Sequence, residues 1–478
     1  MTVKKNIMLI MCDQLRADFL SCYGASFIQT PNIDALCSHG ARYTRAISPS
    51  PLCVPARASL LTGLNALSTG VLSNNEWLRP DMEQCGVKTW PSLLAEHGYH
   101  TESIGKMHFT PWDTDHGFQH RVISEDKRHI HVKDDYYDYL QRHGLRKLHG
   151  NEHEGYFEHK GAVISKTPPE HQVDRWVGAQ TRAFLEASSR DKPFAVMVGF
   201  PGPHCPYDPS LELAGLFDPA TMPDSIPETE ESRTLREYFI QKNLAPWNQV
   251  DYTDFQEHHK KKIRAHYAAL VHQIDQEVGA IVDTLKSQGL YENTVILFTS
   301  DHGDFIGDFG FVGKHFFFEP SISIPLIVHH PDIEASSVNG SIVSLTDVNE
   351  TILQIAGVSR SGPAQSVMLP GLPFGEKSVV PRATVFGATD VGVMIMNEDW
   401  KLSRYYNGMV SLHSISRDPG EQNNLAYKAD TLEIQQALDQ QLTAELMASV
   451  LWGHQEKTIV RDATYFNRGW ARKYPVNG

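Results

Sequence analysis

No apolar run in this sequence approaches the roughly 18 residues that a membrane-spanning helix needs. The opening stretch MTVKKNIMLIM has two lysines, a short apolar run and no small-residue cleavage site. Neither a secretory leader nor a membrane partner is expected from it, and the expected location is the cytoplasm. Positive charge is also scarce. Lys and Arg number 43 against 57 Asp and Glu, a net charge of −14. That balance argues against nucleic acid or an anionic membrane as the partner, and leaves room for a local cationic pocket. Cysteine is sparse too: Cys12, Cys22, Cys37, Cys53, Cys85 and Cys205, with no C-x-x-C pair. A zinc knuckle and a thioredoxin-like site are therefore not indicated. In a reducing compartment each cysteine defaults to a small buried side chain. There is no internal repeat and no low-complexity tract.

What is present is an alternation of strands and helices. Asn6–Met11, Pro193–Phe200, Thr294–Thr299 and Pro325–Val328 read as buried strands, with His100–Ile104 as a weaker one. Asp34–His39, Trp90–His97, Val173–Ser188 and Ile263–Lys286 read as helices. This rhythm predicts an α/β fold with a large, mostly parallel sheet covered by helices. Two segments, about 120–175 and 208–262, break the rhythm and are expected to be solvated insertions near the site. After a Gly/Pro/Ser-rich stretch the runs Thr384–Phe386, Val391–Met396 and Lys401–Tyr406 predict a small antiparallel sheet, followed by a helix over Thr431–Val450. The expected division is a catalytic domain over 1–375 and a C-terminal α+β subdomain with a docking tail over 376–478. Trp452, Tyr465, Phe466, Trp470 and Tyr474 in that tail suggest docking on the chain's own body or on another subunit, and a homo-oligomer is expected.

Ligands of open α/β sheets gather at the carboxyl ends of the strands. Four polar motifs fall just after expected strands: Asp13-Gln14, Gly105-Lys106-Met107-His108, Pro203-His204 and Asp301-His302. Each alone is weak, because such residues also serve as helix caps and loop surface. Their convergence on one sheet edge is the signal. Asp13, Asp301 and His302 could hold a divalent cation. Two carboxylates suit Ca²⁺, Mg²⁺ or Mn²⁺, and a histidine shifts the choice toward Mn²⁺ or Zn²⁺. Arg57, Lys106, His108, His204 and Lys314 are cationic or can become so. A cation with several such donors stabilises a sulfuryl or phosphoryl group in transfer.

Cys53 opens a further question. In PLCVPARASLLTG, Pro55 falls in the first turn of an expected helix, where proline is tolerated. Cys53 would stand at the helix N-terminus, which favours negative charge. Arg57 follows one turn later on the same face. Taken alone, the pair reads as a buried cysteine beside an ordinary ion pair.

The spacing C-x-P-x-R (Cys53, Pro55, Arg57), continued as ASLLTG, resembles the signature of the type I sulfatases of the alkaline phosphatase superfamily. DQLRADFLSCYG, TPNIDALCSHGARYTRA, GKMH, PHCPY, SDHGDFIGDFGFVGKH, SIPLIV, TDVNETILQIAG and DPGEQNNLA extend the resemblance over most of the chain. It implies that a formylglycine-generating enzyme oxidises Cys53 to formylglycine. One hydroxyl of the hydrated aldehyde then attacks a sulfate ester, and the second expels sulfate. By position it implies Asp13, Gln14, Cys53, Asp301 and His302 as the metal set. Arg57 would support residue 53, and Lys106 and Lys314 would contact sulfate oxygens. His108 would act on the second hydroxyl, His204 would serve the leaving group, and Asn74 would be a further substrate contact. Gln14 and His302 stand where many sulfatases carry acid or amide residues. Both resemble the related phosphonate monoester hydrolases and favour Mn²⁺, then Ca²⁺. The G-K-x-H pattern keeps sulfate esters as the expected substrate, with phosphonate monoesters and phosphodiesters as the alternative.

Overall fold

Every residue of the strand Asn6–Asp13 is buried, because both of its faces are covered. Met8, Ile10 and Cys12 pack in a cluster with Ile274, Val278 and Ile281 of the long helix Glu257–Ser287. Ile7, Leu9 and Met11 pack in a second cluster with Leu60, Trp90 and Ile352, from three helices on the opposite side. A continuous apolar run rather than an alternating one is what such a doubly covered strand requires. The computed structural model describes residues 4–83, 86–333, 336–360, 364–374 and 379–455.

Asn6–Asp13 lies inside an eight-stranded sheet. The order is Ser337–Asn339, Gly40–Tyr43, Leu326–His329, Thr294–Ser300, Asn6–Asp13, Phe194–Pro203, His100–Gly105 and His120–Ile123. All neighbours are parallel except the two pairs that involve Leu326–His329. The mostly parallel sheet is therefore as the sequence predicts. Its four adjacent central strands end at Asp13, Ser300, Pro203 and Gly105, and the polar motifs read from the sequence follow at that shared edge. The last two strands approach each other closely. A Cβ on Gly105 (φ +95°) would lie 2.1 Å from the Gly199 carbonyl oxygen, and one on Gly199 would lie 2.1 Å from that of Lys106. Only glycine fits at either place.

The segment expected as a solvated first insertion is partly core. It begins as the edge strand His120–Ile123, and it then buries Glu125, Asp126, Asp134 and Lys147. The second contains the helix Glu230–Leu244, whose Leu235 and Phe239 are buried. The long helix starts at Glu257, earlier than its apolar periodicity shows, through the charged stretch EHHKKK.

A four-stranded antiparallel sheet follows, of Val385–Thr389, Gly392–Met396, Trp400–Tyr405 and Val410–Ser414, with the helix Leu432–Gln455 after it. This sheet anchors the loop after Lys314. Lys401, buried, pairs with Glu319 at 2.9 Å and with Glu421 at 2.6 Å. The Tyr405 hydroxyl accepts from the Phe317 amide at 3.0 Å. Trp452 packs at the edge of a small cluster. Tyr465, Phe466, Trp470 and Tyr474 lie outside the described residues, as does Cys85.

Gly199→Ala tests the close approach that sets Lys106. The added methyl has only backbone to meet, so the variant is expected to lose about 1–3 kcal/mol. The loss would be read as a lower thermal midpoint together with reduced turnover. A wild-type midpoint would contradict the tight contact.

Candidate active site

Helix Cys53–Thr62 is buried along its whole length. Its N-cap, Leu52, offers no side-chain oxygen. The Val54 amide is satisfied from outside, by Asn74 Oδ1 at 3.0 Å. Asn74 is thus tied to the helix start, while it also lines the cavity above. Pro55 has no N–H and the Ala56 amide donates to the Leu52 carbonyl at 3.0 Å, so it is the helix dipole that favours negative charge at residue 53.

Cys53 is fully buried. Its Sγ lies 3.6 Å from Asp13 Oδ1, 3.3 Å from His302 Nε2 and 3.2 Å from Lys314 Nζ. Cys53 does not line the cavity above, whereas Lys314, which contacts its Sγ, does. Burial would push the thiol up, but Lys314, Lys106 and His302, with a hydrogen bond to His108, hold it well below the usual thiol range. A thiolate here stands in for any oxyanion that residue 53 could carry.

Beneath it sit two carboxylates. Asp13 Oδ2 accepts from Lys106 Nζ at 2.7 Å and from Arg57 Nη2 at 3.3 Å. Asp301 Oδ2 accepts from Arg57 Nε at 2.9 Å, while its Oδ1 takes the amides of Gln14 (3.0 Å) and His302 (2.9 Å). Arg57, buried and donating to both acids, therefore braces the carboxylate pair rather than residue 53 itself. It also donates to the Lys106 carbonyl at 2.7 Å. Burial and repulsion from Asp13 push Asp301 up. Burial and Cys53 push Asp13 the same way, but Lys106, His204 and Lys314 outweigh them and hold it low.

Two buried acids that repel each other suit a bound cation. The ligand atoms of Asp13, Cys53, Asp301 and His302 all lie within 4.8 Å of one another. His302 Nδ1 is committed to the Gly303 carbonyl at 2.9 Å, which leaves Nε2 facing the cluster. Two carboxylates, one imidazole and the residue-53 side chain together could hold a divalent ion. Gln14 is held otherwise. Its Oε1 accepts from Lys314 at 2.5 Å, and its Nε2 donates to Asp304. As it stands, its side chain orients Lys314.

The upper donors differ in kind. Lys106 Nζ bridges Asp13 and Asp126, the latter at 2.9 Å. The His108 amide donates to Glu125 at 3.2 Å, and its Nδ1 has no partner. His204 Nδ1 is bonded to the Cys205 carbonyl at 2.7 Å, so Nε2 accepts from Lys314 (2.7 Å) and Arg128 (3.1 Å). Burial, Arg128 and Lys314 lower His204 to about 3. In this arrangement it is neutral.

Asp126 and Arg128 escaped the sequence reading. Asp126 Oδ1 takes Arg128 Nε at 2.9 Å, and Oδ2 takes Arg128 Nη2 at 2.8 Å. Their signal was weak, because they sit in an irregular, charge-rich segment without a strand of their own. Above the site opens a cavity of about 500 Å³, whose lining includes Gln14, Asn74, His108, His204 and Lys314.

A model of the sulfatase family matches residues 5–358. This chain belongs to the sulfatase family. A model described as N-sulphoglucosamine sulphohydrolase, C-terminal, matches residues 307–448. This sulfatase-family chain is 26% identical over 454 residues to an arylsulfatase of Clostridium perfringens, covering 88% of this chain and 90% of the relative. It is 28% identical over 448 residues to a choline-sulfatase of Rhizobium meliloti, covering 89% and 83%. Its fold is similar to that of a phosphonate monoester hydrolase of Agrobacterium radiobacter, with a TM-score of 0.80, 22% identity and coverage of 94% and 96%. Among the described residues no helix is long and apolar enough to cross a membrane.

Asp126 is the test of this charge arrangement. Asp126→Ala leaves Lys106 and Arg128 as buried cations without their shared carboxylate, at an expected cost of about 3–5 kcal/mol. Chemical unfolding should show the loss, and turnover should fall with it. Unchanged stability would contradict the pairing.

Proposed function

We propose that this sulfatase-family chain hydrolyses sulfate monoesters through formylglycine made from Cys53 by a formylglycine-generating enzyme. The observation that supports this most is the buried residue 53, at a helix N-terminus, held among Asp13, Asp301, His302, Lys106 and Lys314. A cysteine packed only as a small apolar core side chain would have no use for such surroundings. Formylglycine, as its hydrate, supplies a nucleophilic oxygen and a second hydroxyl whose deprotonation expels sulfate. A divalent cation, with Mn²⁺ favoured and Ca²⁺ next, would be held by Asp13, Asp301, His302 and residue 53, with Gln14 at its edge. It would acidify the nucleophile and offset charge on the ester oxygens.

The chain's own groups do the rest. Arg57 fixes both carboxylates and favours their charged forms. Lys106 and Lys314 present ammonium hydrogens to the sulfuryl oxygens as charge builds on them. His108, whose Nδ1 has no partner, accepts the proton of the second hydroxyl. His204 and Lys314 share a hydrogen across 2.7 Å, and that pair delivers a proton to the leaving oxygen. Asn74 holds the helix start and lines the substrate cavity.

The charge balance favours a dianionic centre in transfer. Arg57, Lys106, Arg128 and Lys314 face Asp13, Asp126, Asp301 and Asp304, so the protein groups roughly cancel. A dication then leaves a net positive site. Phosphonate monoesters would meet the same donors and form the second reading, supported by the fold likeness and by Gln14 and His302.

Cys53→Ala is expected to abolish turnover while the protein keeps its thermal midpoint, since the added void is small. Chelation should inactivate the wild type, and Mn²⁺ or Ca²⁺ should restore it. The kcat/KM for phenyl sulfate should exceed that for the matched phenyl phosphonate. Residual activity near wild type in Cys53→Ala would refute the nucleophile, and a preference of several orders for the phosphonate would refute the sulfatase reading.

A further inference from the structure

The cavity above residue 53 is walled by aromatic rings, among them Phe109, Trp112, Tyr238 and Trp247. Such walls suit either a flat alcohol or, as an aromatic cage, a quaternary ammonium. The protein's own cations decide between them. The Arg128 guanidinium lies 4.8 Å from the Trp247 ring centre, and Lys242 Nζ lies 5.5 Å from that of Tyr238. Two faces that could hold a cationic substrate are therefore occupied by positive charge already.

The two cations differ in their pairing. Arg128 is neutralised by Asp126. Lys242 contacts His315 and, at 3.4 Å, the Tyr238 hydroxyl. Among the described residues no carboxylate lies within 4.0 Å of its Nζ; Asp390, which also lines the cavity, binds His315 Nε2 at 2.6 Å and offsets the Lys242 charge only from beyond that distance. His315 Nε2 thus donates to Asp390, and Nδ1 accepts from Lys242. One ammonium hydrogen remains without a strong acceptor. The other acid of the wall, Glu125, is buried against the His108 amide. Burial lowers Lys242 to about 8, so it stays largely charged at neutral pH while poorly solvated. An anion beside it would relieve that cost.

We propose that Lys242, carried by the helix Glu230–Leu244, binds a second negative group on the alcohol half of the substrate. The preferred substrates are then sulfate esters of flat ring alcohols that bear a carboxylate or similar anion, and cationic alcohols are disfavoured. The proposal rests on the reading of this cavity as the leaving-group side of the sulfatase site.

The test uses the intact protein and two readouts. Calorimetry gives the Kd of phenol, 4-hydroxybenzoate and 4-hydroxyphenyltrimethylammonium. Steady-state kinetics gives kcat/KM for the corresponding sulfates. 4-Hydroxybenzoate is expected to bind about tenfold or more tightly than phenol, as a charged hydrogen bond implies, with the trimethylammonium compound weakest. Lys242→Gln should collapse that difference, and Lys242→Arg should retain it. Equal binding of phenol and 4-hydroxybenzoate, a preference for the trimethylammonium compound, or an unchanged preference in folded Lys242→Gln would overturn the subsite. Sulfate turnover without carboxylate preference would sink the subsite and leave the sulfatase reading standing. Carboxylate preference in binding without any sulfate turnover would do the reverse.

Discussion

Two carboxylates, Asp13 and Asp301, are buried side by side at the end of the central sheet, and the rest of the site follows from keeping them charged. Their repulsion and their lost hydration are offset by Arg57, which donates to both, and by Lys106 on Asp13. Arg57 can reach them because Pro55 and the glycine-terminated turn at Gly63 fix a short helix under the sheet edge. Lys106 can reach Asp13 because Gly105 and Gly199 let two strands close up. Lys106 is in turn held by Asp126, and Asp126 by Arg128. A chain of alternating charges thus runs from the residue-53 pocket to the substrate cavity, and removal of any member leaves a buried charge exposed to its neighbours.

The carboxyl edge of the sheet was legible because parallel strands covered on both faces must be continuous apolar runs, and each run here stops at a polar motif. NIMLIM gives way to Cys12-Asp13-Gln14 and TVILFTS to Asp301-His302, with no ambiguity of period. The segment after His120 was not legible. Its strand is four residues long and only partly buried at the sheet edge, so it shows no strong pattern, and the charges that follow read as solvent-facing. Burial of Asp126 and Arg128 depends on each other and on Lys106, a pairing over twenty or so positions that local periodicity cannot reveal. The same limit applies to Lys242, which reaches the cavity from a helix with little amphipathic character. Gln14 was read as a ligand from its place beside Asp13, but its left-handed backbone (φ 73°) turns the side chain toward Asp304 and Lys314.

The antiparallel C-terminal sheet was foreseen in part, through three of its four strands. Its connection to the chemistry was not foreseen. Lys401 bridges Glu319 and Glu421, and Asp390 holds His315, so the small sheet clamps the loop that delivers Lys314 to residue 53. The anion-binding side of the cavity is therefore assembled from both sheets, and among the described residues the C-terminal part of the chain stiffens the site without supplying a ligand atom to the carboxylate cluster.

The central claim is that residue 53 works as an oxygen-bearing carbon among these charges and not as a thiol. The direct measurement is a mass spectrum of the peptide that spans Cys53, taken from fully active protein made alongside a formylglycine-generating enzyme and paired with its specific activity. The account predicts that sulfur at position 53 is replaced by an aldehyde oxygen, and that activity scales with the converted fraction. Full activity in protein whose Cys53 is an intact thiol would contradict it.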